Sequence, residues 1–257
     1  MSTSIAMAVA TSEALSFTGL PKQESNRWIP LESDPDIMNN WAQQLGLQTN
    51  IHSFQDVYGL DPELLALVPK PVKAILLLFP NVQSVEDARS ADEAKRDAVN
   101  KDPIDANVIF IKQTISNACG TIALLHALAN APDVTIKPNS PLQQFITLCK
   151  GKSPEERAEL LENTDLFATM HRAAAEAGRS VITPDLDTDL HFICFVQAKS
   201  QSDPTGKRLL ELDGRRTAPV DYGPSTDILA DVAKVAQEKY LNSTNSLQFS
   251  MTALAPT

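Results

Sequence analysis

In the stretch KQTISNACGTIALLHALAN, residues 112–130, one cysteine stands at the seam between a polar, turn-like front and an apolar back with helical spacing. Thiolate is the reactive form of cysteine, and an ordinary thiol is mostly protonated at neutral pH. Three local features could change that for Cys119. A helix is expected to start there, and the free amides and macrodipole of a helix N-terminus favour negative charge. Gly120 would leave the backbone open to close approach by a substrate. Gln113, six residues upstream, could offer a side-chain N–H that forms an oxyanion hole with the backbone N–H of Cys119. Cysteine is also among the most buried residue types, so these features alone leave a packed core thiol as the commoner outcome. Cys149 and Cys194 sit in FITLC and HFICFV, with neither a helix start nor a partner, and read as core thiols.

A catalytic thiol needs a base, and the base needs an orienting group. The chain has four histidines. His126 lies on the same helical face as Cys119 but about 10 Å along the axis, too far for a hydrogen bond, and reads as a packed or capping residue. His52, in a turn-rich segment, and His171, beside an arginine on a helix, read as solvated surface groups. His191 differs, because it opens the strand-like HFICFV directly after the acidic DLDTDL. A second strand, LLEL, ends at Asp213-Gly214. If the two strands form a hairpin turning near residues 200–207, the second runs back down and leaves Asp213 beside His191. In isolation Asp213 would be no more than a turn-former before glycine; the hairpin gives it a partner.

The elements that must hold these groups follow from local signals. Ser33-Asp-Pro-Asp36 reads as a helix start, with Ile37, Met38, Trp41 and Leu45 at helical spacing and Gly46 as the stop. Asp61-Pro-Glu63 repeats the device. Val72–Phe79, between prolines 71 and 80, reads as a buried central strand. Residues 81–105 are charged and nearly free of large apolar groups, which predicts a mobile surface linker. Ala106–Lys112 is expected as a strand feeding a helix that runs to about Asn130. A short helix is expected near Leu142–Cys149. Ser153-Pro-Glu-Glu156 has the form of a capping box, and another helix is expected near Leu166–Ala177, followed by a loop over 178–188. Strands are expected at His191–Ala198, Arg208–Leu212 and Leu247–Ala253, with an amphipathic helix at Thr226–Leu241. The order predicts one α+β domain over 27–257 with a mostly antiparallel central sheet flanked by helices, preceded by a flexible leader at 1–26.

The chain has 257 residues, 43% hydrophobic and 21% charged, with a formal charge of -10. That charge argues against a nucleic-acid partner, which would want clustered Lys and Arg, and is compatible with a basic one. Three irregularly spaced cysteines and no metal-ligand spacing point to no disulfide framework, no metal and no cofactor. A reducing, cytoplasmic compartment, a monomer and no membrane partner are expected.

The assembled motifs resemble the ubiquitin C-terminal hydrolases, a family of papain-like cysteine proteases. Gln113-Thr-Ile-Ser-Asn-Ala-Cys-Gly-Thr121 is similar to the nucleophile motif of that family, Asp189-Leu-His-Phe192 to its histidine motif and Glu211-Leu-Asp-Gly-Arg215 to its aspartate motif. Arg27-Trp-Ile-Pro-Leu-Glu32, Asp56-Val-Tyr-Gly59, Asp61-Pro-Glu-Leu64 and Ser153-Pro-Glu-Glu-Arg157 also resemble family segments, so the likeness runs from about residue 27 to the end. It is to the short, single-domain members. The resemblance implies Cys119 as nucleophile, His191 as general base and acid, Asp213 as orienter and Gln113 as oxyanion donor. It implies a knotted backbone and a crossover loop near residues 170–187. It implies cleavage after the C-terminal glycine of ubiquitin, favouring small or flexible leaving groups. Pro30, Leu31 and Glu32, with Leu247 and Phe249, would touch the body of ubiquitin. A catalytically inactive ubiquitin-binding module, or the same chemistry on another ubiquitin-like protein, are the alternatives. The connection Lys199–Lys207 looks longer than in compact family members, and the leader is additional.

Overall fold

The apolar run between the two prolines is strand β2, Ala74–Pro80, in the middle of an antiparallel six-stranded sheet. A computed structural model describes residues 27–99, 103–131, 133–178, 188–203 and 205–257. Its other strands are β1 (His52–Asp56), β3 (Leu190–Lys199), β4 (Lys207–Leu212), β5 (Val220–Pro224) and β6 (Ser250–Pro256), in the order β1-β6-β2-β3-β4-β5. Because strand side chains alternate between faces, Leu76, Phe192, Cys194 and Leu254 join one core cluster, while Ile75, Leu77, Phe79, Ile193 and Phe195 join another on the opposite face. The first is covered by helices α1 (Pro35–Leu45), α4 (Cys119–Asn130), α5 (Pro141–Cys149), α6 (Pro154–Glu162) and α7 (Asp165–Glu176). The second is covered by α8 (Ile228–Val235) and the start of α3 (Gln83–Val99). A short α2 (Pro62–Leu65) completes the set. Buried on every side from Cys119 to Leu128, α4 is a core helix rather than an amphipathic surface one.

Local capping signals translate directly into structure. The Asp34 carboxylate accepts from the amides of Asp36 at 2.8 Å and Ile37 at 3.4 Å, and Gly46 ends α1 with φ 122°. Any Cβ at Gly46 would lie 2.3 Å from the Ser140 side chain, so glycine is required there twice over. The Ser153 hydroxyl accepts from the Glu156 amide at 3.2 Å while Glu156 accepts from the Ser153 amide at 2.6 Å, closing the capping box of α6.

Several expectations are corrected. The charged stretch 81–105, read as a linker, contains the helix α3. Val85 and Arg89, one turn apart, are both buried, so among the described side chains of the helix, residues 83–91, the inward face is one aliphatic group and one cation, a pattern that apolar periodicity does not detect. Ala106–Lys112 is not in a strand. Side chains take the place of a strand partner: Asn130 bonds both N–H and C=O of Ile109, His126 Nε2 accepts from the Ile111 amide at 2.9 Å, and Arg157 donates to the carbonyls of Val108 and Phe110 at 3.2 Å. This is another way of satisfying buried backbone groups. Strands β1 and β5 were not foreseen, and the last strand begins at Ser250 rather than Leu247. The expected helix Thr226–Leu241 is α8 followed by a π-helical turn, Ala236–Tyr240. Of the expected crossover loop, residues 170–176 belong to α7 and 179–187 lie outside the described residues, as does the expected leader at 1–26. Among the described residues no helix is long and apolar enough to cross a membrane, and no cluster of His, Cys, Asp and Glu could hold a metal ion.

His52 and His171 are buried, not solvated. His171 bonds Thr121 Oγ1 at 2.8 Å and the Ile29 carbonyl at 2.6 Å, with its ring 4.4 Å from that of Trp28. His126 is packed as expected, stacked on Phe110 at 5.5 Å. Burial pushes the imidazoles of His126 and His171 down to about 4, against an ordinary value of 6.5. Between these values the unfolded chain binds protons that the native state refuses. Their contribution to stability is therefore full above 6.5 and declines as pH falls toward 4. The urea midpoint should fall between about pH 7 and about pH 5, and His171→Asn should flatten that fall. A midpoint unmoved over this range contradicts the assignment.

Candidate active site

Cys119 is the first residue of α4, and the preceding residue, Ala118, offers no side-chain cap. The approach to the helix turns at Asn117, whose φ of 62° is left-handed, a conformation asparagine tolerates better than most residues. Its side-chain amide donates to the Trp28 carbonyl at 3.0 Å, and the Trp28 amide donates to Ser116 at 2.9 Å. The segment at 27–28 thus pins the loop that delivers Cys119. Gly120 has a reason different from the one expected. A Cβ there would lie 2.9 Å from Leu31 Cβ and 3.4 Å from Phe192 Cδ2, so glycine admits packing neighbours rather than a substrate.

His191 and Asp213 meet across the expected hairpin. Strands β3 and β4 pair antiparallel with Cys194 opposite Leu212 and Lys199 opposite Lys207. One residue past β4, Asp213 therefore falls on the side of the strand end that carries His191, and His191 Nε2 meets Asp213 Oδ1 at 2.8 Å. Both side chains are 1% exposed. Asp213 Oδ1 also accepts from the Arg215 amide at 2.9 Å. The other ring nitrogen, Nδ1, is buried without a well-formed hydrogen bond and is the one left for Cys119.

Electrostatics couple the three groups. Burial alone would push the Cys119 thiol up. A hydrogen bond and charge from His191, the Phe192 amide and the charge of Arg215 outweigh it, so the thiol lies below its ordinary value. Burial would likewise lower His191, yet the Asp213 carboxylate and the Cys119 sulfur raise it above the usual imidazole range. Against its own burial, Asp213 is held below the usual carboxylate range by His191 and Arg89. This is the pattern of a stabilised thiolate–imidazolium pair. The other cysteines behave oppositely: burial pushes Cys149 up to about 11 and Cys194 well above the ordinary thiol value, as befits core thiols.

Gln113 is placed by the aspartate motif itself. Its amide donates to the Gly214 carbonyl at 2.8 Å, and a Cβ at Gly214 would lie 3.0 Å from Gln113 N and Cβ. The carboxamide N–H of Gln113 donates to Ile115 O at 3.2 Å, while its Oε1 is buried without a partner. A cleft of about 410 Å³ opens beside it, lined by Arg27, Ser116, Asn117, Thr188 and Arg215 among others.

The remaining expected contacts fall in two segments that adjoin, since Ser33 Oγ donates to Ser250 Oγ at 2.8 Å. Pro30, Glu32 and Phe249 are partly exposed and Leu247 is 95% exposed. Leu31 is 6% exposed and packs on Gly120, so it belongs to the core. Sequence reasoning missed Arg89, whose Nη2 lies 2.6 Å from Asp213 Oδ2 and 2.8 Å from Glu211 Oε1. The available signal was Val85 and Arg89 at helical spacing in a stretch dismissed as polar.

The profile of the family described as "Ubiquitin carboxyl-terminal hydrolase, family 1" matches residues 28–241. Ubiquitin carboxyl-terminal hydrolase 3 of Arabidopsis thaliana is 38% identical over 93% of this chain and 98% of its own length. The human isozyme L1 is 35% identical over 88% of this chain and 96% of its own. The fold is similar to that of the Trichinella spiralis UCH37 catalytic domain bound to ubiquitin vinyl methyl ester, with TM-score 0.66 and 23% identity over 90% of this chain and 96% of that one. With its profile matched over most of the chain and relatives matched along nearly their whole length, the protein belongs to the ubiquitin carboxyl-terminal hydrolase family 1.

Proposed function

We propose that this chain hydrolyses the bond after the C-terminal glycine of ubiquitin, with Cys119, His191 and Asp213 as its catalytic groups. The carrying observation is that three sequence-distant motifs converge, with His191 bonded to Asp213 on one side and lowering the Cys119 thiol pKa on the other. The Cys119 sulfur attacks the glycine carbonyl carbon. The developing oxyanion is met by the Cys119 amide at the uncapped start of α4 and by the Gln113 carboxamide. As the carbon–nitrogen bond breaks, the His191 imidazolium gives its proton to the leaving amine. The imidazole then takes a proton from water, hydroxide attacks the thioester, and the C–S bond breaks to return thiolate and a carboxylic acid, whose proton passes to the released amine. Asp213 keeps the ring oriented and supports its charge throughout. Pro30, Glu32, Leu247 and Phe249 supply a surface for the body of ubiquitin, joined through the Ser33–Ser250 contact.

Cleavage of a fluorogenic ubiquitin amide should disappear in Cys119→Ala while ubiquitin binding, read by calorimetry, persists. Residual turnover in that variant contradicts Cys119 as nucleophile. Gln113→Ala should lower kcat by about 10²–10³ with little change in KM, the usual cost of one lost oxyanion donor; a near-normal kcat would remove Gln113 from this role. A nucleophile only 6% exposed should favour leaving groups that are thin or flexible. Release of a short peptide fused to ubiquitin should outpace release of a folded domain fused the same way, and equal rates would refute that preference.

A further inference from the structure

Asp213 presents two carboxylate oxygens, and catalysis as proposed uses one of them. Oδ1 faces His191. Oδ2 accepts from Arg89 Nη2 at 2.6 Å. The same guanidinium nitrogen reaches Glu211 Oε1 at 2.8 Å, and Nη1 lies 3.3 Å from Glu86 Oε2. The other oxygen of Glu211, Oε2, accepts from the hydroxyls of Tyr222 at 2.9 Å and Tyr240 at 2.7 Å. Arg89, Glu211 and Asp213 are 4%, 2% and 1% exposed. The guanidinium carbon stands 5.1 Å from the Phe79 ring centroid and 5.6 Å from that of Tyr240. Phe79 in turn meets the His191 ring edge-on at 5.7 Å. Tyr240 ends the π-helical turn after α8, a local irregularity often found at functional positions.

We propose that Arg89 is a positioning residue of the active site: by occupying Asp213 Oδ2 it keeps Oδ1 aimed at His191, and Glu211, held by Tyr222 and Tyr240, keeps Arg89 in place. Taking three charges out of water is costly, and removing one partner leaves the others uncompensated. All four oxygens of the two carboxylates are satisfied. Such an arrangement defines one orientation for Asp213 and hence one rotation for the imidazole. Arginine suits the task because Nη2 serves Asp213 and Glu211 while Nη1, at a fixed angle to it, reaches Glu86, a planar spread that a lysine ammonium lacks. Arg89 also supplies a fixed positive charge beneath a site containing Glu86, Glu211, Asp213, His126, His191, Cys119, Tyr222 and Tyr240, with Arg215 and Arg216 on the following loop. Its removal should raise the Cys119 thiol twice over, by loss of a nearby cation and by freeing Asp213 to turn from the His191 ring that lowers it.

This inference rests on Cys119, His191 and Asp213 being catalytic, so the wild-type chain is measured first. If it neither reacts with ubiquitin vinyl methyl ester nor cleaves a ubiquitin amide, the functional reading fails. Given an active wild type, Arg89→Gln is compared with sites counted by exhaustive probe capture. Per active site, kcat should fall by about 100-fold with KM nearly unchanged, the order expected for a misplaced catalytic group. The acidic limb of the kcat/KM pH profile, set by the Cys119 thiol, should move to higher pH. Arg89→Lys should restore that limb and recover only part of kcat, whereas a merely structural residue would change the number of active sites without displacing the limbs. Tyr240→Phe, which keeps the ring and removes one donor to Glu211, should lower kcat by about fivefold, the worth of one hydrogen bond. Wild-type kcat and limbs in Arg89→Gln overturn the proposal; if that variant does not fold, wild-type kcat in Tyr240→Phe does so.

Discussion

The site depends on a buried carboxylate with two oxygens committed to two different partners. Asp213 meets His191 through one and Arg89 through the other. In bulk water such contacts would be weak and interchangeable. Out of water the Coulomb terms strengthen, and so does the cost of leaving any partner unpaired. The cluster is therefore intolerant of alternatives, which is what a thiolate–imidazolium pair requires. His191 pulls the Cys119 thiol below its ordinary value, and the Asp213 carboxylate behind the ring raises His191 above its own.

The fold supplies this arrangement by bringing the ends of separate elements together. The register of β3 and β4 puts the carboxylate beside the imidazole. The start of α4 carries the thiol, and the loop before it is stitched to the segment at Trp28. Gly214 lets the chain after β4 approach Gln113 closely enough for a backbone hydrogen bond. One short motif, Asp213-Gly214, thereby holds both the His191 ring and the Gln113 backbone. Behind them, residues 108–111 belong to no strand, and side chains of α4 and α6 bond the Val108, Ile109 and Phe110 carbonyls and the Ile109 and Ile111 amides.

Much of the site could be read in advance because its signals are local. Asp34-Pro35, Ser153-Pro154 with Glu156, and Gly46 state their helix boundaries within four residues, and all are realised. The hairpin could be counted because both strands and their connection are consecutive in the chain. Errors arose where a residue's state is decided by distant neighbours. His171 looked solvated beside an arginine, yet Trp28, Ile29 and Thr121 enclose it. Gly120 looked like an opening for substrate, and Leu31 fills the space. Residues 83–99 looked like linker because Arg89 counts as polar in any periodicity, although its buried partners lie more than a hundred residues downstream.

By itself the sequence determined the reactive residue types, their order, the helix caps and the β3–β4 hairpin, since each of these rests on hydrogen bonds or periodicities among close neighbours in the chain. Only the tertiary structure decided which nitrogen of His191 faces Asp213, what occupies the far oxygen of that carboxylate, and which strands border β2. It also decided that residues 106–112, expected as a strand, lie in none. Those outcomes depend on packing and on the pairing of buried charges across long separations, where the energy of any one group is set by everything that excludes water from around it.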